Sequence, residues 1–167
     1  MVLNMSDPKQ EIYNILYQFE GHESVLDVGC GADNGQLESM PAYTGIDMCF
    51  GDIWGWYNFK PSYYDIIIAN DLFPNVDQRL ELFLDKYLPH CREMRLSLTY
   101  FDEPKWYRAT RPEGEVVTML AWDWERLTQC LIKSEISDDV VIKYFDYSGT
   151  FPNGRKVLLV WLKGGLA

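Results

Sequence analysis

Positive charge is scarce in this chain. Fifteen Lys and Arg stand against twenty-five Asp and Glu, a formal net charge of −10. No three basic residues run together. Nucleic-acid backbones are gripped through several cationic contacts, so DNA and RNA are not expected partners, and an anionic membrane is not one either. The acidic balance reads as a device for solubility. Histidine is nearly missing: His22 and His90 stand alone, and Cys30, Cys49, Cys91 and Cys130 form no CxxC pair. That spacing holds no zinc site, and no metal is expected. Free thiols of this kind suit a reducing cytoplasm. Long hydrophobic runs are absent as well. The opening MVLNMSDPKQEIY has neither a basic nor an apolar leader, so neither a signal peptide nor a membrane span is expected. With no repeat, low-complexity tract or linker, residues 1–167 are expected to form one domain.

What the chain has in excess is aromatic: six Trp, eleven Tyr and eight Phe, 15% of all residues. Such side chains fill cores, and the surplus would equally suit a homodimer face or a pocket for ring-bearing ligands. Periodicity then orders the chain. Asp7-Pro8 caps a helix whose Ile12, Ile15, Leu16 and Phe19 share one face, closed by Glu20-Gly21-His22. Ser24 to Val28 and Tyr43 to Asp47 read as strands, with one or two helical turns over Asn34 to Met40 between them. Asp65 to Ala69 is a β-branched run suited to burial on both faces. Leu80, Phe83, Leu84, Tyr87 and Leu88 mark a helix expected over Asn75 to Leu88, stopped by Pro89. Met94 to Tyr100 is a further strand, and Asp102 to Pro112 reads as a loop. Trp124, Leu127 and Leu131 give another helix capped by Asp123, before strands over Val140 to Tyr147 and Lys156 to Lys163. Alternating strands and helices that end in a direct strand pair predict an α/β fold. Its sheet is mostly parallel, seven-stranded or six-stranded, with an antiparallel C-terminal strand and helices on both faces.

The chemistry is concentrated in Val25-Leu26-Asp27-Val28-Gly29-Cys30-Gly31-Ala32-Asp33-Asn34-Gly35. A strand runs into a glycine turn at the carboxyl edge of the sheet, where open α/β sheets bind ligands. Glycines there let a ligand approach the backbone. Two glycines alone would also serve as a tight turn. Asp27 discriminates: a carboxylate beside the loop opposes a pyrophosphate but favours a cationic ligand, such as the ammonium and sulfonium of S-adenosylmethionine.

The stretch VLDVGCGADNG resembles the first motif of class I S-adenosylmethionine-dependent methyltransferases, and the resemblance extends along the whole chain. It implies a Rossmann-like methyltransferase fold with S-adenosyl-L-methionine as cofactor. The implied cofactor residues are Asp27, Gly29, Cys30 and Gly31 in the loop. Asp47 ends the second strand, with the acid on the ribose hydroxyls, and Met48 follows it. Asp52 and Ile53 lie beside the adenine, and Asn70 lies near the sulfonium end. Only four residues separate Asp47 from Asp52, so the family's helix at that point is expected to be missing. Trp54, Trp56 or Tyr57 would then cover the adenine side.

Methyl transfer needs an aligned acceptor and sometimes a proton acceptor. Asn70-Asp71-Leu72-Phe73 does not resemble the Asn-Pro-Pro-Tyr of nucleic-acid and protein-glutamine N-methyltransferases. The expected substrate is therefore a small molecule, a hydroxyl or amine on a sugar or a secondary-metabolite intermediate. Asp71 is the candidate base or orienting acid, although a cap or a solvated loop carboxylate would look the same. Tyr100, Trp106, Tyr107 and Arg108 are candidate substrate contacts, by stacking or by gripping an anion, as is Arg111. A non-catalytic methyltransferase-like binding or regulatory subunit is the alternative. An NAD-dependent oxidoreductase is disfavoured by Asp27 and by the closing strand pair.

Overall fold

The computed structural model describes residues 8–31, 40, 42–47, 55–110, 114–133, 145–146 and 154–165. Its main sheet takes β1 (Val25–Val28), β2 (Tyr43–Ile46), β3 (Tyr64–Asn70), β4 (Cys91–Tyr100), β7 (Phe145–Asp146) and β8 (Lys156–Lys163) in the order β2-β1-β3-β4-β8-β7. The first four are parallel; β8 runs antiparallel to β4, and β7 antiparallel to β8. The described sheet thus has six strands, the smaller of the two expected numbers.

The faces follow from the two-residue period of a strand. Ile66 and Ile68 point to one side, where they join Val25, Val157 and Leu159 and receive Ile12 and Leu16 of α1 (Pro8–Leu16). Ile67 and Ala69 point to the other. There Leu26, Val28, Leu96, Leu98, Leu158 and Val160 are covered by α2 (Leu80–Tyr87) and α3 (Trp124–Lys133). Both faces of β3 are therefore buried, which is why its sequence is a continuous apolar run. The helices sit on both faces, as expected.

Four expectations change in detail. First, α1 ends at Leu16, and Phe19 reaches the same cluster from beyond the helix. Second, α2 begins at Leu80, five residues later than the expected Asn75. Asp77 explains the delay: its carboxylate accepts the backbone N–H and Nε of Arg79 and the indole N–H of Trp56, while Val76 and Asp77 donate their own N–H groups to Leu72 O. Side-chain bonds of this sort compete with a helix for the backbone. Third, residues 105–110 are a strand and not a loop. Here β5 (Lys105–Thr110) pairs antiparallel with β6 (Val116–Ala121) in a separate two-stranded sheet. Its alternation turns Tyr107 and Met119 inward and Trp106, Arg108 and Thr118 outward. Fourth, of the strand expected over Val140 to Tyr147, only Phe145–Asp146 lies within the described residues. The helical turns expected over Asn34 to Met40 fall almost wholly outside them.

Trp56 is likewise core rather than cover for a ligand. Its ring packs edge-on against Phe73, Phe83 and Tyr87, and Tyr87 Oη donates to Trp56 O at 2.5 Å. Tyr57 stays exposed, and Trp54 is outside the described residues.

Candidate functional site

The strand order sets the position of the site. From β1 the chain moves to β2 on one side, and β3 lies on the other. Beyond the carboxyl ends of β1 and β3 the connections therefore diverge and leave a crevice, the place where open α/β sheets take ligands. Two loops line it: residues 29–31 after β1 and residues 71–75 after β3.

The first loop turns on two left-handed glycines, Gly29 and Gly31, each at φ +73°. Gly29 N–H and Cys30 N–H both donate to Ile46 O, at 2.8 and 3.3 Å. Gly31 N–H donates to Asp47 Oδ2 at 2.8 Å. The loop is thus stitched to the end of β2, and Asp47 stands where the loop and β2 meet. A Cβ on Gly29 would come within 3.2 Å of Leu72 Cδ2, so the two crevice loops touch there. A Cβ on Gly31 would meet no atom of the described residues within 4 Å.

Asp27 lies beneath the loop and is 0% exposed. Its oxygens accept hydroxyl hydrogen bonds from Tyr17, at 2.9 Å, and Tyr43, at 2.7 Å. Burial pushes its carboxyl up to about 6; the two tyrosine bonds pull it down, and the charge of Asp47 adds to the rise. Burial, with the charge of Asp27, also drives the Tyr17 hydroxyl upward.

Asp71 leaves β3 in a left-handed conformation, φ 56°. That is unusual for a residue with a side chain and is concentrated at functional sites. Arg155, at the entry to β8, donates from Nη1 to both carboxylate oxygens, at 3.0 and 2.9 Å. Thr99 Oγ1 adds a bond at 3.2 Å, and Asn75 Nδ2 lies at 3.5 Å. Arg155 is 11% exposed and Asp71 43%, so the pair is buried on the guanidinium side and open on the carboxylate side. Ser97 Oγ accepts the backbone N–H of Asp71 and donates to Asn70 Oδ1, at 2.8 and 2.7 Å. Tyr107 Oη donates to Asn75 Oδ1 at 3.1 Å and so ties the β5–β6 ribbon to this loop. Burial raises the Tyr107 hydroxyl, and the charge of Asp71 adds to it while Arg155 opposes it.

The structure therefore brings together Asp27, Gly29, Cys30, Gly31 and Asp47 on one side of the crevice, and Asn70 and Asp71 on the other. Met48, Asp52, Ile53 and Arg111 lie outside the described residues. Tyr107 reaches the site through Asn75. Trp106, 70% exposed, and Arg108 face outward on the ribbon, and Tyr100 is buried edge-on against Trp124. Sequence reasoning missed Tyr17, Tyr43, Ser97, Thr99 and Arg155. No motif marks them; their roles come from packing between distant elements.

Comparison with known proteins agrees with this fold. The chain is similar to the N-terminal domain of EvdMO1, a structure obtained in the presence of SAH and D-fucose: TM-score 0.56, 14% identity, covering 97% of this chain and 84% of that one. It is similar to an S-adenosylmethionine-dependent methyltransferase structure from Listeria monocytogenes, with TM-score 0.53, 13% identity, and 94% and 97% covered. It is also similar to the glycopeptide N-methyltransferase MtfA complexed with sinefungin, with TM-score 0.51, 12% identity, and 96% and 95% covered. The chain thus has the Rossmann-like fold of class I S-adenosylmethionine-dependent methyltransferases. No protein-family model matches it. Among curated proteins, acireductone dioxygenase of Rattus norvegicus is 33% identical over 75 residues, which cover 40% of this chain; the chain spans 42% of that relative's length.

Proposed function

We propose that residues 1–167 form a single S-adenosylmethionine-dependent methyltransferase domain. Its substrate on this reading is a small polar metabolite, a sugar or a secondary-metabolite intermediate, methylated on a hydroxyl or amine. The observation that carries the reading is the crevice itself: a left-handed glycine loop over a buried carboxylate faces a left-handed Asp71 across the switch point of the sheet. The chain's residues fit the cofactor. No described atom would crowd a Cβ at Gly31, the charge of Asp27 suits a cation, and on this reading Asp47, bonded to the loop through Gly31 N–H, takes the ribose hydroxyls. Met48, Asp52 and Ile53 complete that set by resemblance. S-adenosylmethionine, when bound, supplies an electrophilic methyl group on sulfur.

The rest is done by the chain. Arg155 and Thr99 hold the Asp71 carboxylate in one orientation. Its open side accepts a hydrogen bond from the acceptor hydroxyl or amine and aims the lone pair inward. Ser97 ties the Asn70 side chain and the Asp71 backbone to β4. The tilt toward hydroxylated substrates is supported by this cluster of amide, hydroxyl and carboxylate groups, and by the D-fucose named for the EvdMO1 domain. Among the described residues, Cys30, Cys91 and Cys130 are in no disulfide, in keeping with the cytoplasmic setting of this reading. Among the described residues, no helix is long and apolar enough to cross a membrane.

One observation favours the non-catalytic alternative: the Asp71 oxygens are already engaged by Arg155. Calorimetric titration with S-adenosylmethionine, S-adenosylhomocysteine and NAD, followed by a labelled-methyl screen over sugars and amino sugars, decides. Micromolar binding of the sulfur ligands, with transfer to at least one acceptor, is expected. Binding without transfer to any acceptor would favour the regulatory reading. Binding of NAD alone would overturn both.

A further inference from the structure

Asp27 is an unusual recognition element. It is fully buried and touches two phenol hydroxyls on two different elements, Tyr17 just past the end of α1 and Tyr43 at the start of β2. Tyr13 stacks on Tyr17, ring centroids 4.3 Å apart, and holds that ring in place. Among the described residues, the groups facing the carboxylate include Tyr13 and Tyr17 from the α1 side and Tyr43 and Asp47 from β2. Of these, the Tyr17 and Tyr43 hydroxyls donate to it, and hydrogen bonds to a buried carboxylate favour its ionised form.

We propose that Tyr17 and Tyr43 are positioning residues of the cofactor site, holding Asp27 as a buried anion so that it recognises the cofactor's positive charge through its field and not by contact. This rests on the cofactor reading given above. The geometry has two consequences. A field acting through a loop in a low-dielectric setting is weakly screened by salt. Each tyrosine hydroxyl favours the anion, so loss of either makes the carboxylate hold a proton more tightly. Its charge would then be absent over part of the neutral range, and cofactor affinity would fall with it.

The pH dependence of binding tests this. S-adenosylhomocysteine and S-adenosylmethionine are titrated calorimetrically from pH 5.5 to 8.5 into the wild type and into Tyr17→Phe, Tyr43→Phe and Asp27→Asn. Because the ligands' own titration is common to all four proteins, the difference between profiles is the readout. Wild-type affinity is expected to fall below a midpoint near pH 6. Loss of one hydrogen bond to a charged group should move that midpoint up by about one pH unit in each Phe variant, with affinity restored at pH 8.5. Asp27→Asn should weaken binding about tenfold and remove this step altogether. A merely structural role for the tyrosines would lower affinity equally at every pH. If one Phe variant does not fold by circular dichroism, the other carries the test. Wild-type binding with Phe profiles parallel to it overturns the inference and leaves the cofactor reading intact. A wild type that binds neither ligand at any pH overturns that reading, and the inference with it.

Discussion

Two alanine substitutions two residues apart should separate stability from binding. Gly29 and Gly31 share the same backbone angle, φ +73°. An L side chain in that conformation costs about 1–2 kcal/mol, so both variants begin from the same strain. They differ in what the new methyl meets. At Gly31 it meets no atom of the described residues within 4 Å. Gly31→Ala should therefore lose about 1–2 kcal/mol, a melting shift of about 2–8 °C for a domain of this size. At Gly29 it meets Leu72 Cδ2 at 3.2 Å and Cδ1 at 3.3 Å, so a packed side chain must give way. Overpacking adds about 1 kcal/mol or more, and Gly29→Ala should lose about 2–3 kcal/mol in total. Binding should rank the other way. Gly31 is where the cofactor is expected to approach the loop backbone, so Gly31→Ala should weaken S-adenosylhomocysteine by about tenfold or more, equal to about 1.4 kcal/mol. Urea denaturation gives the first ranking and calorimetry on the folded variants the second. Equal stabilities would refute the Leu72 contact. Wild-type affinity in Gly31→Ala would refute the loop as the cradle.

Other perturbations reach the rest of the molecule. The Asp27 carboxyl sits at about 6, above its ordinary value of 3.8. The folded state therefore binds this proton more tightly than the unfolded one. The group's contribution is fully present below about pH 4 and is lost as pH rises through about 6, for a total near 3 kcal/mol. Subtracting the pH–stability curve of Asp27→Asn from that of the wild type should expose this slope; a flat difference would contradict the burial. Arg155→Met should cost about 1–2 kcal/mol in urea, because Asp71 keeps Thr99 and Asn75. It should leave S-adenosylhomocysteine affinity within about twofold and depress transfer to any acceptor found. Phe83→Ala removes a fully buried ring packed on Trp56, Phe73 and Tyr87, and should cost about 3–5 kcal/mol by denaturation.

Much of this architecture was legible in the chain. The run at residues 66–68 is apolar on both faces because both faces are covered, and that follows from composition alone. The glycine loop and Asp47 were legible because a turn chemistry and a strand end coincide in sequence. The β5–β6 ribbon was not. Its residues 105–110 mix aromatic and charged side chains because one face is solvent, and the alternation is visible only once Val116–Ala121 is known to pair with it. The late start of α2 depended on Asp77 meeting both Arg79 and Trp56, a tertiary event. Arg155 was missed for a different reason: it lies 84 positions after Asp71, and nothing in a turn-rich segment marks one arginine as a partner for a distant acid.

The left-handed backbone at Asp71 also bears on engineering. Glycine would adopt φ 56° without steric cost, and asparagine at a smaller cost than most residues. Selection for heat resistance alone would therefore drift toward glycine at this position, once the Arg155 charge is compensated. Each such gain would remove the carboxylate from the crevice. A thermostabilised lineage of this protein should thus be screened for ligand turnover at every round, since the most accessible route to a sturdier loop runs through the residue proposed to orient the methyl acceptor.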